Sequence, residues 1–541
     1  MSTRSAAYVI AETLSRAGVY AVFSLPGEEN LPMVEALDAV GVEMVVCRHE
    51  QHASFMAVAH ARLTGRLAVC MATLGPGALN LFTGLAQADL IGVPVLALTG
   101  QKPARKNTEG PFQVVDVVGS ARPIVGGAVK VIDSSTARAQ LNDAISVALH
   151  RRTSVLVELP EDVAEEQISP TPAAVTERLA PVAPSDAVKA LAHRISRAAR
   201  PIVLAGVGTI GDDKSAALAD LGRREGLGLI TTQMGNGVLH PDASNLIGTL
   251  GMHRPDYITG VVDQADLVIA CGYRPVEHPP QAWHRNPDQP VVHLHSEPAR
   301  RAVAYEPELE VVGDIADTLN RLHDLKIDRE WVAAQKGAVA TCLADEATSY
   351  GANSVASVPD HVKAGVTDQT VVALDNGLYK LWFARRYVPA SRHGLMLDNA
   401  LATMGAGLAT GMAAARLGKP AVVVTGDGGF LMHGPELETA RRLGLDLTVV
   451  VLRDDAYGFI EWHQDEQART RSGVELTNPD IEAFAASFGA NAITVEGPSG
   501  LTAALQSSEG ITVIDCPVTY ECNDLLEQGD LADRLHAIVA T

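Results

Sequence analysis

The chain has 541 residues, 47% of them hydrophobic, 4% aromatic and 20% charged, with 47 glycines, which predicts two to four domains with sizeable cores. A formal net charge of −21 excludes binding to a nucleic-acid backbone through bulk charge, though a small anion needs only local positive potential. No run reaches about 18 uninterrupted apolar residues, which excludes a transmembrane helix of ordinary length. At the N-terminus, MSTRSAAYVIAETLSRAGV reads as a short amphipathic helix without the apolar core or cleavage signature of a leader. Candidate strands follow in YAVFSLP, EMVVCRH, LAVCMATL, VPVLALTG and SVLVELP, several of them separated by helical stretches. Short apolar runs alternating with helices predict a parallel sheet. After Pro160 the stretch EDVAEEQISPTPAAVTERLAPVAPS is rich in proline and reads as a surface linker.

A second block begins at PIVLAGVG and continues through GLITT, ADLVIACG and PVVHLH. A helical piece and a second linker, SYGANSVASVPDHV, separate it from a third block carrying TVVALDNG, AVVVTGDGG, DLTVVVLRDD and ITVIDCP. The expected fold class is therefore α/β, with three consecutive domains of mainly parallel sheet at 1–165, 186–326 and 360–541. Six cysteines, Cys47, Cys70, Cys271, Cys342, Cys516 and Cys522, form no C-x-x-C pair, so buried thiols in a reducing cytoplasm are expected.

The third block carries the chemistry. AVVVTGDGG is a strand that stops at glycines, which puts Asp427 at its carboxyl end, where open α/β sheets line their ligand crevices. Pro435 suits the first turn of a following helix, and Asp454 lies at the carboxyl end of the next strand, DLTVVVL. Two hard oxygen ligands near glycine amides suit Mg²⁺ holding a diphosphate. An Asp-Gly pair alone is an ordinary turn; the whole constellation of strand, GDG, helix, strand and Asp-x-Ala-Tyr-Gly points further.

That stretch resembles the signature of the thiamine-diphosphate-dependent enzymes, a GDG followed at a fixed interval by an Asn-containing turn. The resemblance implies Asp427, Asp454 and the carbonyl of Ala456 as Mg²⁺ ligands, with Asp454 standing where most members have Asn. EMVVCRHEQHASFMAVAHARLTG resembles the family's R-H-E-Q segment and implies that the Glu50 carboxylate meets ring nitrogen N1′ of the cofactor. Taken alone, Glu50 reads more readily as a helix N-terminal acid, stabilised by the macrodipole. A zinc H-E-x-x-H helix would need histidine at position 53, where Ala53 stands. Gly27 in FSLPGEENL, Gly75 and Gly77 in TLGPGALN, and Asn376 and Gly377 in ALDNGLYKLW match cofactor-facing turns. Gly428, Gly429 and Tyr457 fit around the phosphates. In DNALATMGAG, Met404 matches the apolar wedge that bends the cofactor.

The form most similar is the acetolactate synthase catalytic subunit, closest to the catabolic, flavin-independent type. It implies 2-acetolactate formation: pyruvate is decarboxylated and the two-carbon unit is joined to a second 2-keto acid, in branched-chain amino acid or acetoin metabolism. Phe112 and Gln113 would border the substrate, Gln113 orienting the acceptor, and Phe459 and Ile460 in YGFIEWHQ would cover the reacting carbon. Lys102 and Arg105 lie near the loop that would meet the acceptor carboxylate, though charged loop residues are usually solvated; His49 and His52 are candidates for proton transfers, with structural hydrogen bonding the more expected role of His49. GYRPVEHPPQAWH replaces the flavin-associated segment of the central domain while GTLGMHRPD is retained, so FAD is not expected. A homodimer or homotetramer is expected, with Glu50 from one subunit and Asp427 and Met404 from another. The alternatives are a thiamine enzyme acting on an aromatic 2-keto acid or on sulfoacetaldehyde, and a pyruvate oxidase-like flavoenzyme. A nucleotide-binding regulator lacks support, because no G-x-G-x-x-G follows the first strand.

Overall fold

The computed structural model describes residues 3–105, 110–169, 181–251, 256–300, 304–527 and 531–540. They pack into two compact units: residues up to 178 with 408–418 and 433–445, and the remainder of the chain. Outside the described residues lie 106–109 in the GQKPARKNTEGPF segment, 170–180 in the first linker and 252–255 in GTLGMHRPD. No described helix is long and apolar enough to cross a membrane, and all six cysteines are buried and free.

The first unit holds a six-stranded parallel sheet of β1 (Ala21–Ser24), β2 (Glu43–Val46), β3 (Ala68–Ala72), β4 (Val95–Gln101), β5 (Gly127–Lys130) and β6 (Ser154–Pro160), in the order β2-β1-β3-β4-β6-β5. Its central strands are buried along their whole length, because helices cover both faces of a parallel sheet. Leu14, Val22, Leu37, Val69 and Val157 anchor the core.

The second unit holds two such sheets. One contains β7 (Pro201–Ala205), β8 (Gly228–Thr231), β9 (Leu246–Thr249), β10 (Leu267–Cys271), β11 (Val291–His295) and β12 (Leu309–Val312), ordered β9-β8-β7-β10-β11-β12. The other contains β13 (Val371–Leu374), β14 (Leu395–Met396), β15 (Ala421–Gly426), β16 (Leu447–Arg453), β17 (Asn491–Thr494) and β18 (Ile511–Pro517), ordered β14-β13-β15-β16-β18-β17. The first and third sheets thus share one strand order, and the central sheet has another.

Both stretches read as linkers carry more structure than their composition suggests. The first opens with a helix, Glu161–Glu165, and a short strand, Gln167–Ile168, paired antiparallel with Arg4–Ser5. The second contains a helix, Val358–Gly365, with Pro359 in its first turn and Val358 and Val362 buried. Proline at a helix start costs nothing, since its missing N–H has no partner there anyway.

Candidate active site

In the third sheet the strand order reverses between β13 and β15, where an open α/β sheet binds ligands at the carboxyl ends of its strands. β13 runs out into Asp375, Asn376 and Gly377; β15 delivers Asp427, and β16 delivers Asp454. A cavity of about 110 Å³ opens there, lined by Asn376, Gly377, Met404, Asp427, Gly428, Gly429, Asp454, Ala456, Tyr457, Phe459 and Ile460. Every site residue that the sequence places in the third block therefore meets in one cleft.

Asp427 opens α1 (Asp427–His433), so the helix starts ahead of the Pro435 turn predicted to begin it. Its carboxylate is 1% exposed. Oδ1 accepts from Gly428 N at 2.8 Å; Oδ2 accepts from Asp455 N at 2.8 Å and Asn478 Nδ2 at 2.7 Å. Burial still raises the Asp427 carboxyl above its ordinary range. Burial, and then the neighbouring Asp427 charge, push Asp454 up to about 7. Among the described residues no Lys, Arg or His forms an ion pair with either acid. Two crowded carboxyls, one buried and one half-buried, without a cation fit a hard divalent ion, which would relieve both burdens. A hydrogen-bonded bridge between Ala456 and Glu475 fixes the backbone that would bring the third oxygen. Among the described residues no cluster of three His, Cys, Asp or Glu forms a metal site by itself. Water and a diphosphate ligand would then have to complete the metal's shell.

The walls of the cleft are built for a close ligand. Tyr457 and Met404 converge on Gly428, where a Cβ would stand 2.9 Å from the Tyr457 ring and 3.4 Å from Met404 Cε. Ala402 and Asp455 take left-handed backbone (φ 53° and 56°) beside Met404 and Asp454, a conformation that costs a non-glycine residue about 1 kcal/mol or more. Phe459 and Ile460 sit on α2 (Gly458–Glu466), none of whose residues is buried, with Ile460 51% exposed.

Four residues here escape the sequence. Asp375, 2% exposed, accepts from Gly405 N (2.9 Å), Gly407 N (3.3 Å) and Thr425 Oγ1 (2.9 Å). It ties the Met404 turn to the end of β15. Lys380 contacts Asn376, Asn478 bridges Asp427 and Asp455, and Tyr520 lines the cavity. Asp375 precedes Asn376 directly, and a buried acid next to a glycine turn is the one signal that could have found it.

In the first unit the same strand order puts its reversal between β1 and β3. Gly27 follows β1, and Gly75 and Gly77 follow β3. Glu50 begins the helix Glu50–Thr64 after β2 and is 6% exposed. Its Oε2 accepts from Asn80 Nδ2 at 2.9 Å. A Cβ on Gly77 would come 3.0 Å from Glu50 Oε1 and 2.9 Å from Thr73 Cγ2, so glycine keeps the acid clear of its neighbour. Gly27 packs on Thr73, whose hydroxyl donates to Glu29 Oε2 at 2.6 Å. Gly75 lies against the carbonyl of Gln113, itself left-handed (φ 57°). Phe112 is 64% exposed.

Three sequence candidates do not hold the parts weighed for them, and a fourth, His49, takes the structural role expected of it. Lys102 is buried and paired with Glu29 at 2.9 Å, both 5% exposed, and Arg105 is bound to Glu166, so neither offers an uncommitted cation to an acceptor carboxylate. His52 is fully buried, with neither ring nitrogen bonded, and burial lowers its pKa to about 3. Such a ring does not shuttle protons near neutrality. His49 caps its helix by accepting from Gln51 N at 3.1 Å.

Comparison with known proteins agrees with this geometry. Residues 4–120 match the thiamine pyrophosphate enzyme N-terminal TPP binding domain, 188–322 the central domain and 375–516 the C-terminal TPP binding domain. The chain is 31% identical to an acetolactate synthase of Bacillus subtilis (strain 168), over 99% of its own length and 97% of that protein. It is 31% identical to a catabolic acetolactate synthase of Raoultella terrigena, over 96% of each. It is 29% identical to the acetolactate synthase isozyme 2 large subunit of Escherichia coli (strain K12), over 92% of each. Matching along its whole length, with the acid pair and the glycine turns in place, the chain belongs to the thiamine pyrophosphate enzymes, in their acetolactate synthase group.

Proposed function

We propose that the protein decarboxylates pyruvate and joins the two-carbon unit to a second 2-keto acid, giving 2-acetolactate. The observation that carries this reading is the convergence of Asp427, Asp454, Met404 and Tyr457 on one glycine-walled cleft at the reversal of the third sheet. Residues 1–165, 186–326 and 360–541 serve as pyrimidine-binding, central and diphosphate-binding domains. Asp427, Asp454 and the Ala456 carbonyl hold Mg²⁺, and Asn376, Gly377, Gly428 and Gly429 receive the diphosphate. Met404 supports the cofactor from below. Bound thiamine diphosphate supplies the electron sink that takes the pair left when CO₂ departs. Glu50 holds a proton at the cofactor's ring nitrogen, with Asn80 keeping its carboxylate in place. Gln113 offers a side-chain amide to the acceptor's developing alkoxide, with Phe112, Phe459 and Ile460 excluding water.

Two copies of the chain complete the site, one giving Glu50 and the other the acid pair, in a cytoplasmic homodimer or homotetramer. FAD has no part. In the central sheet the reversal point between β7 and β10 is taken by the chain's own Glu277. This carboxylate is fully buried and accepts from Val207 N (2.8 Å), Thr232 Oγ1 (2.6 Å) and Arg274 N (2.8 Å), donors that a dinucleotide phosphate would otherwise use.

Incubation of the purified protein with thiamine diphosphate, Mg²⁺ and pyruvate, followed by product identification, tests the reading. 2-Acetolactate from a colourless protein is expected. Acetaldehyde alone, no turnover, or a yellow protein that passes electrons onward would each overturn it.

A further inference from the structure

Lys380 lies on the helix Tyr379–Arg386 and is 4% exposed. Its Nζ donates to Asn376 Oδ1 at 2.6 Å and to the Asp398 carbonyl at 2.9 Å. Asn376 is half-buried and lines the cleft. An ammonium group has three donors and no acceptor, so only the amide oxygen of Asn376 can face it. The two ends of an asparagine amide are otherwise nearly interchangeable; here the lysine decides between them. The Asn376 NH₂ group turns the other way, and among the described residues it has no partner. Turned round, Asn376 would set another oxygen in a cavity that already holds Asp427 and Asp454 and would repel an anion. A buried ammonium is costly to keep. Burial lowers its pKa to about 8, while the Asp398 and Asp375 carboxylates that face it help it hold its proton.

Resting on the diphosphate-cleft reading above, we infer that Lys380 is a positioning residue that holds the Asn376 amide with its N–H groups toward the cleft, so that the cleft accepts a diphosphate. The lysine also places one positive charge behind a site where Asp454 adds a negative one. Through the Asp398 carbonyl it steadies a second element. Asp398 Oδ1 accepts from Ala400 N (2.9 Å) and Leu401 N (3.2 Å), in the segment that leads to Met404.

The test is calorimetric titration of full-length protein with thiamine diphosphate and Mg²⁺, and separately with inorganic diphosphate and Mg²⁺. Wild type, K380M, K380Q, N376A and the N376A/K380M double variant are compared. K380M is expected to bind both ligands about tenfold more weakly, the scale of a lost charge-assisted hydrogen bond. K380Q, which keeps a donor but no charge, falls between it and wild type. In the N376A background the K380M loss shrinks, because part of it passes through the Asn376 amide. Wild-type affinity declines as pH rises through about 8, where Lys380 loses its proton, and K380M shows no such decline. Thermal melts monitor folding, and K380Q carries the test if K380M is unfolded. Affinities of both lysine variants within twofold of wild type would overturn the inference. So would an undiminished K380M effect in the N376A background, which would mean that the lysine acts through the Asp398 segment alone. A wild type that binds neither ligand would defeat the cleft reading itself.

Discussion

The central and third sheets sit in the same unit, both six-stranded and parallel, yet their reversal points are opposites. In the third sheet the strand ends stop at Asn376, Gly377, Gly428 and Gly429, and the cavity between them holds two acids without a cation. In the central sheet Glu277 reaches back into the crevice and takes the Val207 and Arg274 N–H groups and the Thr232 hydroxyl. One sheet leaves two acids without a cation and so invites one; the other fills its crevice from its own chain. Similar scaffolds thus yield a site or a plug according to a few residues at strand ends. The first sheet shares the strand order of the third and carries Gly27, Gly75, Gly77 and Glu50 at its strand ends.

Three substitutions put the contrast between open and plugged crevices to the test. The largest effect is expected at the open crevices. E50Q keeps the shape and the Asn80 contact but cannot exchange the proton, so turnover should fall by about 10²–10⁴, with thiamine diphosphate affinity changed only a few-fold. Steady-state kinetics alongside calorimetry read this, and unimpaired turnover would remove Glu50 from the chemistry. A middling effect is expected at Gly429, where a Cβ would strike Asp375 Oδ2 and crowd Thr425. G429A should lower stability by about 1–3 kcal/mol and weaken Mg²⁺-dependent cofactor binding, as measured by denaturant titration with and without ligand. A variant as stable as wild type would show that the Asp375 hub has slack.

The smallest effect is expected at the plug. E277Q should leave turnover near wild type and lower stability by about 1 kcal/mol. Burial raises the Glu277 pKa from 4.5 to about 7 in the folded chain. The folded state therefore holds an extra proton between those values, and this group's contribution to stability shrinks as pH rises from about 4.5 to 7. Melting temperatures should show wild type gaining on E277Q as pH drops from 8 to 5. A pH-independent difference would mean that Glu277 is ionised at no cost.

The legible parts of the molecule were those that one residue's chemistry could announce. Buried central strands such as AVVVTG and TVVVL, glycines at strand ends, and an Asp between glycines each follow from local physics. Two edge strands did not. Gly127–Lys130 is half-buried throughout, and Asn491–Thr494 has no fully buried residue, so neither carries the continuous apolar run of an inner strand. In the site, Asp427, Asn376, Met404 and Glu50 could be named, while Asp375, Lys380, Asn478 and Asn80 could not. Asp375, Asn478 and Asn80 act by hydrogen bonds to groups brought near only by folding: Asn478 meets an acid 51 residues away, and Asn80 one 30 residues away. Lys102 fails in the converse way, because a lysine in a polar loop looks solvated until Glu29 is found against it.

The first and third sheets use one strand order, and most of the candidate site residues that set them apart lie in segments beyond the carboxyl ends of their strands. A designer wishing to change what this protein accepts could leave both frameworks untouched and graft only those end-segments, with each framework serving as a neutral chassis for new chemistry.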